Sequence, residues 1–184
     1  GEPVADERIL ILGLGNPLVQ DEGIGVRIAE ELLTRYDWPA NVEIVDAGTM
    51  GMSILPLFSR CDFMLVVDAI DGTGHAPGTV VGISPDDLAQ SQVMHSLHDL
   101  KFADVLQVAM LAGHTPQAWV IGVQIEDMTT VGIGLTEPVE AAIPAAIDAV
   151  LEELSRRGVA PTGRDEASGA ASVLTNVRSG QESA

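Results

Sequence analysis

The sequence predicts an α/β domain, a three-layer α/β/α sandwich around a mostly parallel twisted sheet of about five strands. Three observations carry this. Residues 9–12 and 63–67 are apolar without polar alternation, as strands buried on both faces are. Stretches with helical spacing, such as Ile24, Ile28 and Leu32, separate the strand-like runs. A glycine-rich turn, Gly13-Leu14-Gly15-Asn16-Pro17, leads out of the first run toward an acidic helix start, at the edge where open α/β sheets keep their ligand sites.

The elements follow in order. After the first strand and its turn, Asp21 is expected to cap a helix beginning at Glu22. Residues 36–41 form a connector containing Trp38-Pro39, and residues 42–46 read as a second strand ending in the loop 47–51. A short helix is expected over 53–60 with Pro56 near its start, then a buried third strand at 63–67, with Asp68 to Gly72 directly after it. Residues 78–83 are valine-rich and bounded by prolines, which suits an antiparallel edge strand. Residues 86–93 are weakly helical, and Leu100, Ala103, Leu106 and Met110 give residues 100–111 an apolar helical face. Residues 118–123 are the last strand, and 126–135 a glycine-containing loop. Thr136 starts a closing helix with Pro138 in its first turn, a break or kink at Pro144, and Gly158 as the residue just past its end. From residue 159 onward Gly, Ala, Ser and Thr dominate and aromatic residues vanish, so a disordered tail is expected. The chain is thus divided into a flexible segment 1–8, one domain over 9–158, and a tail over 159–184.

Totals narrow the function. Nine Lys plus Arg against 27 Asp plus Glu in 184 residues give a net charge of -18. Such a surface repels phosphate backbones, which excludes nucleic acid as a partner. Cys61 is the one cysteine, so no intramolecular disulfide forms and a reducing compartment is expected. No apolar stretch has the length of a membrane span and the acidic start has no secretory core. The expectation is a cytoplasmic protein with no membrane partner.

Chemistry concentrates at strand ends. Glu22, Asp46 and Asp68 each lie just beyond a strand, and His98 follows a loop later. Ends of parallel strands converge on one edge, so these acids and an imidazole could form a site for Zn²⁺ or Ni²⁺. Any one acid alone reads more readily as a cap or turn residue bonded to backbone amides, and recurrence at three strand ends is what weakens that reading. His95 and His98 are three apart, and spacing does not choose between them. His75 and His114 fall in Gly/Pro-rich loops and read as solvated turn residues. Asp71 either supports a ligand or forms a turn with Gly72. Cys61 reads as a small buried hydrophobe. The dinucleotide fingerprint fails, because the third glycine is misplaced and Glu22 would face a pyrophosphate.

The motifs Ile11-Leu12-Gly13-Leu14-Gly15-Asn16-Pro17-Leu18, Asp21-Glu22-Gly23-Ile24-Gly25, Asp46-Ala47-Gly48-Thr49-Met50-Gly51, Val67-Asp68-Ala69-Ile70, Ser96-Leu97-His98-Asp99-Leu100 and Gly132-Ile133-Gly134-Leu135-Thr136 occur in that order. Together they resemble the maturation endopeptidases of nickel-iron hydrogenases, over roughly residues 9–157. The resemblance implies that Glu22, Asp68 and His98 contact a metal, with His98 preferred to His95, and that Asp46 is a further acid needed for activity. It implies removal of a C-terminal extension from a hydrogenase large-subunit precursor after nickel insertion. The Ni²⁺ would then be held by the substrate, with no permanently bound cofactor. A metal-sensing chaperone or adaptor that binds such a precursor without cutting it is the alternative. The opening Gly13-Leu14-Gly15-Asn16-Pro17 also resembles that of bacterial peptidyl-tRNA hydrolase, but the histidine that should follow is absent, the first being His75.

Overall fold

The apolar run at the start of the domain becomes β1 (Ile9–Leu14), buried along its whole length. The computed structural model describes residues 6–48, 50–90, 94–95, 102–126 and 129–164. After β1 come a 3₁₀ turn, Gln20–Gly23, α1 (Ile24–Arg35), the short β2 (Tyr36–Asp37) and β3 (Val42–Gly48). A 3₁₀ segment, Gly51–Arg60, leads to β4 (Phe63–Asp71), β5 (Val80–Ile83), α2 (Pro85–Gln90), β6 (Met94–His95) and α3 (Phe102–Leu111). The rest is β7 (Gln117–Gln124), α4 (Glu137–Ala141), α5 (Ile143–Arg156) and β8 (Thr162–Gly163).

The main sheet runs β3-β1-β4-β7-β5, and β6 adds a short antiparallel pairing to the end of β4. β3, β1, β4 and β7 are parallel, while β5 runs antiparallel along the edge of β7, as its proline boundaries suggest. Alternation along the strands sorts the core into two layers. Ile9, Ile11, Phe63, Leu65 and Val67 meet Ile24, Ile28 and Leu32 of α1 and Val150 and Leu154 of α5. Leu10, Leu12, Leu14, Met64 and Val66 meet Ile54 and Phe58 of the 3₁₀ segment, Leu88 of α2, and Val105 and Ala109 of α3. Burial of both faces of β1 and β4 is what their uninterrupted apolar runs require.

Several expectations change in detail. The segment before β4 is 3₁₀ over its ten residues, with Pro56, which has no N–H to donate, inside it. β4 continues to Asp71, because β7 pairs with it through Ile70, so Asp68 lies within the strand. The closing helix breaks at Ala142 into α4 and α5, with Pro144 tolerated in the first turn of α5. Asp21 lies inside the 3₁₀ turn, and the cap position of the α-helix that follows is taken by Gly23. Residues 159–164, assigned to the tail by composition, join the packed body: Val159 is buried and β8 pairs antiparallel with β2. No helix among the described residues is long and apolar enough to cross a membrane.

Candidate active site

The chain leaves β1 through α1 to reach β3 on one flank, then returns past β1 to β4 on the other. That reversal opens a crevice above the carboxyl ends of β1 and β4, the place where doubly wound sheets bind ligands. Two of the predicted acids border it. Glu22 sits in the 3₁₀ turn that follows β1, and Asp68 projects from β4 beside it.

Backbone contacts fix the turn that carries Glu22. Gly15 has φ +123°, a left-handed value that glycine adopts freely. A Cβ there would lie 1.9 Å from the Glu22 carbonyl oxygen, so the turn folds directly onto the end of β1. Three residues past Glu22, a Cβ on Gly25 would be 2.2 Å from the Leu14 oxygen and 2.4 Å from the Val67 oxygen. The start of α1 is thereby pressed against both strands of the crevice, one residue from Asp68. The side chain of Asn16 accepts from the Leu18 N–H at 3.0 Å, and the Glu22 N–H donates to the Val19 oxygen at 2.9 Å, closing the loop between.

Asp68 is 2% exposed, whereas Glu22 is half-buried and Asp46 exposed. A carboxylate as enclosed as Asp68 requires positive charge or hydrogen-bond donors around it. Asp46 and Val67 both pair with Gly13, one on each side of β1, so their Cα atoms are about 10 Å apart at normal strand spacing. Alternation directs Asp46 to the α1 face, with Gly13, and Asp68 to the α3 face, with Met64 and Val66. The structure therefore places Glu22 and Asp68 near the point where β1 ends beside β4, and Asp46 on the opposite side of β1 from Asp68 and facing the other layer. His98 lies outside the described residues. Its neighbour His95 is in β6, opposite Ile70, in the lane beside β4 that β1 vacates when it ends. β6 is antiparallel to β4, so at His95 the chain is heading back along β4 toward Asp68. Among the described residues, no three His, Cys, Asp or Glu side chains come together as a metal site.

Other polar groups take structural posts. Asp21, fully buried, accepts from the Glu126 N–H at 3.0 Å, and from the N–H and hydroxyl of Thr136 at 2.7 and 2.8 Å. It ties the loop ahead of α4 to the turn holding Glu22, and Thr136 gives its hydroxyl to this bond and none to its own helix. Gln124, at the end of β7, is also buried. Its amide donates to Asp71 at 2.9 Å and accepts from the Thr73 N–H at 3.1 Å, which fixes the strand end that β6 pairs with. Asp71 thus belongs to a turn network. Neither buried group carries a local sequence signal, since Asp21's partners are 105 and 115 residues away. His114, half-buried, is no solvated turn residue: its Nε2 lies 2.8 Å from the Cys61 carbonyl, which only accepts, so that nitrogen carries the hydrogen. Burial pushes the Cys61 thiol up to about 11, which removes it as a nucleophile.

The fold and crevice define the class: a doubly wound α/β protein with carboxylates at its switch point. The profile of the hydrogenase maturation protease family matches residues 26–153. Hydrogenase 2 maturation protease of Escherichia coli K12 is 40% identical over 159 residues, covering 86% of this chain and 97% of that protein. The hydrogenase expression/formation protein HoxM of Azotobacter vinelandii is 41% identical over 160 residues, 85% of this chain and 77% of its own. The solved hydrogenase maturating endopeptidase HybD from E. coli superposes with a TM-score of 0.78 at 40% identity, covering 86% of this chain and 99% of HybD. The chain belongs to the hydrogenase maturation protease family, and its chemistry is that of a peptide-bond hydrolase.

Proposed function

We propose that this peptidase removes the C-terminal extension of a nickel-iron hydrogenase large-subunit precursor after nickel insertion, reading the substrate-held nickel through Glu22, Asp68 and His98. The observation that supports this most is the placement of Glu22 and enclosed Asp68 on the two sides of the switch-point crevice, with β6 heading toward it. Two carboxylate oxygens and a neutral imidazole nitrogen suit a divalent ion of intermediate hardness. A nickel-free precursor would leave the carboxylates facing one another with no charge between them, which disfavours its binding. In the loaded complex Glu22, Asp68 and His98 would hold the ion, which would align the precursor's tail and either polarise the scissile carbonyl or help activate water; water adds to the carbonyl carbon and the amide nitrogen leaves with a proton. Asp46, exposed at the β3 flank, is the additional acid open to the substrate tail. The reaction belongs in the cytoplasm, where the precursor is made.

Intact mass measurement on nickel-loaded and nickel-free precursor tests this. The wild type should shorten only the loaded form. Glu22→Gln, Asp68→Asn and His98→Ala should each slow cleavage about a hundredfold while remaining folded, in the range of losing a charge-stabilising group. His95→Ala should cleave nearly normally, because β6 uses its backbone. Folded His98→Ala cleaving at the wild-type rate would sink the ligand assignment. Stable capture of loaded precursor with no mass loss would identify an adaptor.

A further inference from the structure

An exposed apolar platform adjoins the turn that holds Glu22. Leu18, Val131 and Ile133 are 58%, 81% and 87% exposed, yet they stand on loops that are firmly joined. The Gly132 N–H donates to the Leu18 oxygen at 2.8 Å and the Gln20 N–H to the Gly132 oxygen at 2.9 Å, while Asp21 holds both ends of the second loop. Gln20 keeps φ +34° within this pairing, a conformation rare for a side chain other than glycine's. Beneath Ile133 lies a cleft of about 270 Å³ between the loop and the first two turns of α1, with Pro17, Val26, Ile133 and Leu135 as its apolar walls and Gln20, Arg27 and Glu30 as its polar lining. Arg27 on its rim is paired with Glu31 and Glu140, so the rim offers no free cation. Pockets for drug-sized ligands begin at about 300 Å³, so this cleft suits a single side chain of a protein partner. Around it the chain carries a net charge of -18, but neither residues 17–20 nor residues 129–136 include a charged side chain.

We infer that Leu18, Val131, Ile133 and the cleft below them are a docking surface for the protein substrate, which contributes one apolar anchor residue flanked by basic residues. Two arguments fix the occupant. Leu18 stands four residues before Glu22 on the same short turn, so a substrate tail that reaches Glu22 runs close to the platform. An apolar platform whose cleft is edged by Glu30, in an acidic surface, also complements an apolar side chain ringed by positive charge. The inference rests on the peptidase reading given above, and docking takes place away from the metal contacts.

Binding of nickel-loaded precursor, read by biolayer interferometry beside cleavage kinetics, tests it. Leu18→Ser and Ile133→Ser should each weaken binding and raise KM about tenfold, with kcat unchanged, as expected for loss of one buried aliphatic contact. Both positions are solvent-exposed, so thermal melts should stay at the wild-type value. Leu111→Ser, at an 88% exposed position on the far end of α3, should alter neither quantity. Raising the salt should weaken precursor binding by the wild type, through the flanking charges. Unchanged binding by Leu18→Ser and Ile133→Ser, or equal weakening by Leu111→Ser, would overturn the docking surface even if cleavage proceeds. Precursor that binds wild type and variants as proposed but is never shortened would overturn the peptidase reading alone. Precursor that fails to bind the wild type would overturn both.

Discussion

Burial separates the roles of two neighbouring acids. Asp21 is enclosed and bonded to the backbone of the loop before α4, whereas Glu22 is half-exposed at the crevice. Asp21→Ala would leave the N–H groups of Glu126 and Thr136 without their acceptor, at a cost of about 2 kcal/mol. Urea denaturation should show that loss, with about half of it in Asp21→Asn, which keeps one carbonyl oxygen; an unchanged midpoint in Asp21→Ala would refute the tie. Cys61 gives a pH test. Its thiol is raised from an ordinary 9.0 to about 11 by burial, so the folded state holds the proton in a range where the unfolded chain has released it. With more protons bound to the native state, stability must fall as pH rises from about 9 to about 11, and the contribution is complete below 9. Melting temperatures over that window should fall more steeply for the wild type than for Cys61→Ala, and parallel curves would remove the thiol as the cause.

Much of each element was legible because its signal is local. Ile24, Ile28 and Leu32 mark α1, the apolar runs mark β1 and β4, and Pro144 marks the break before α5, all within a few residues. What escaped depends on distant partners. Asp68 falls inside β4 only because Gly122 of β7 stands opposite it, and β6 exists only as a partner for Ile70 and Asp71. The same limit applies to the site: strand ends point to Glu22, Asp46 and Asp68, but the face each acid takes depends on register, and the preference for His98 over His95 comes from family motif and not from spacing. Contacts between elements also yield a test of how α1 is docked. Gly25→Ala must push α1 away from backbone oxygens of β1 and β4, and overpacking of this kind costs about 1–3 kcal/mol. Moving α1 moves the Glu22 turn relative to Asp68, so precursor cleavage should fall by more than the loss of folded protein explains. Gly74→Ala is the control: its added Cβ meets nothing within 4 Å, so only the strain of φ +80° remains, about 1 kcal/mol with cleavage intact. Equal cleavage by the two variants would mean that α1 is not set by this contact.

At the scale of the whole molecule, charge is unevenly matched. Arg8, Arg27, Arg35, Arg60, Arg156, Arg157 and Arg164, all the arginines among the described residues, are each paired with a carboxylate. Arg157 does more, since its guanidinium also lies 3.3 Å from the centre of the Phe63 ring and joins α5 to the start of β4. With these cations already engaged, the chain still holds 27 Asp and Glu against nine Lys and Arg, and the surplus appears as the net charge of -18. Self-repulsion of that kind acts over distances that salt shortens, the Debye length falling from about 30 Å at 0.01 M to about 10 Å at 0.1 M. Salt also weakens the ion pairs, but exposed pairs contribute about 0–1 kcal/mol each, and several here have both partners largely exposed. Relief of repulsion should therefore win, and the melting temperature should rise between 0.01 and 0.5 M sodium chloride, most steeply at the low end where screening changes fastest. Potassium chloride should give the same curve, because screening depends on ionic strength and not on the identity of the monovalent cation. A melting temperature that fell with salt would show that the paired arginines outweigh the unmatched acids.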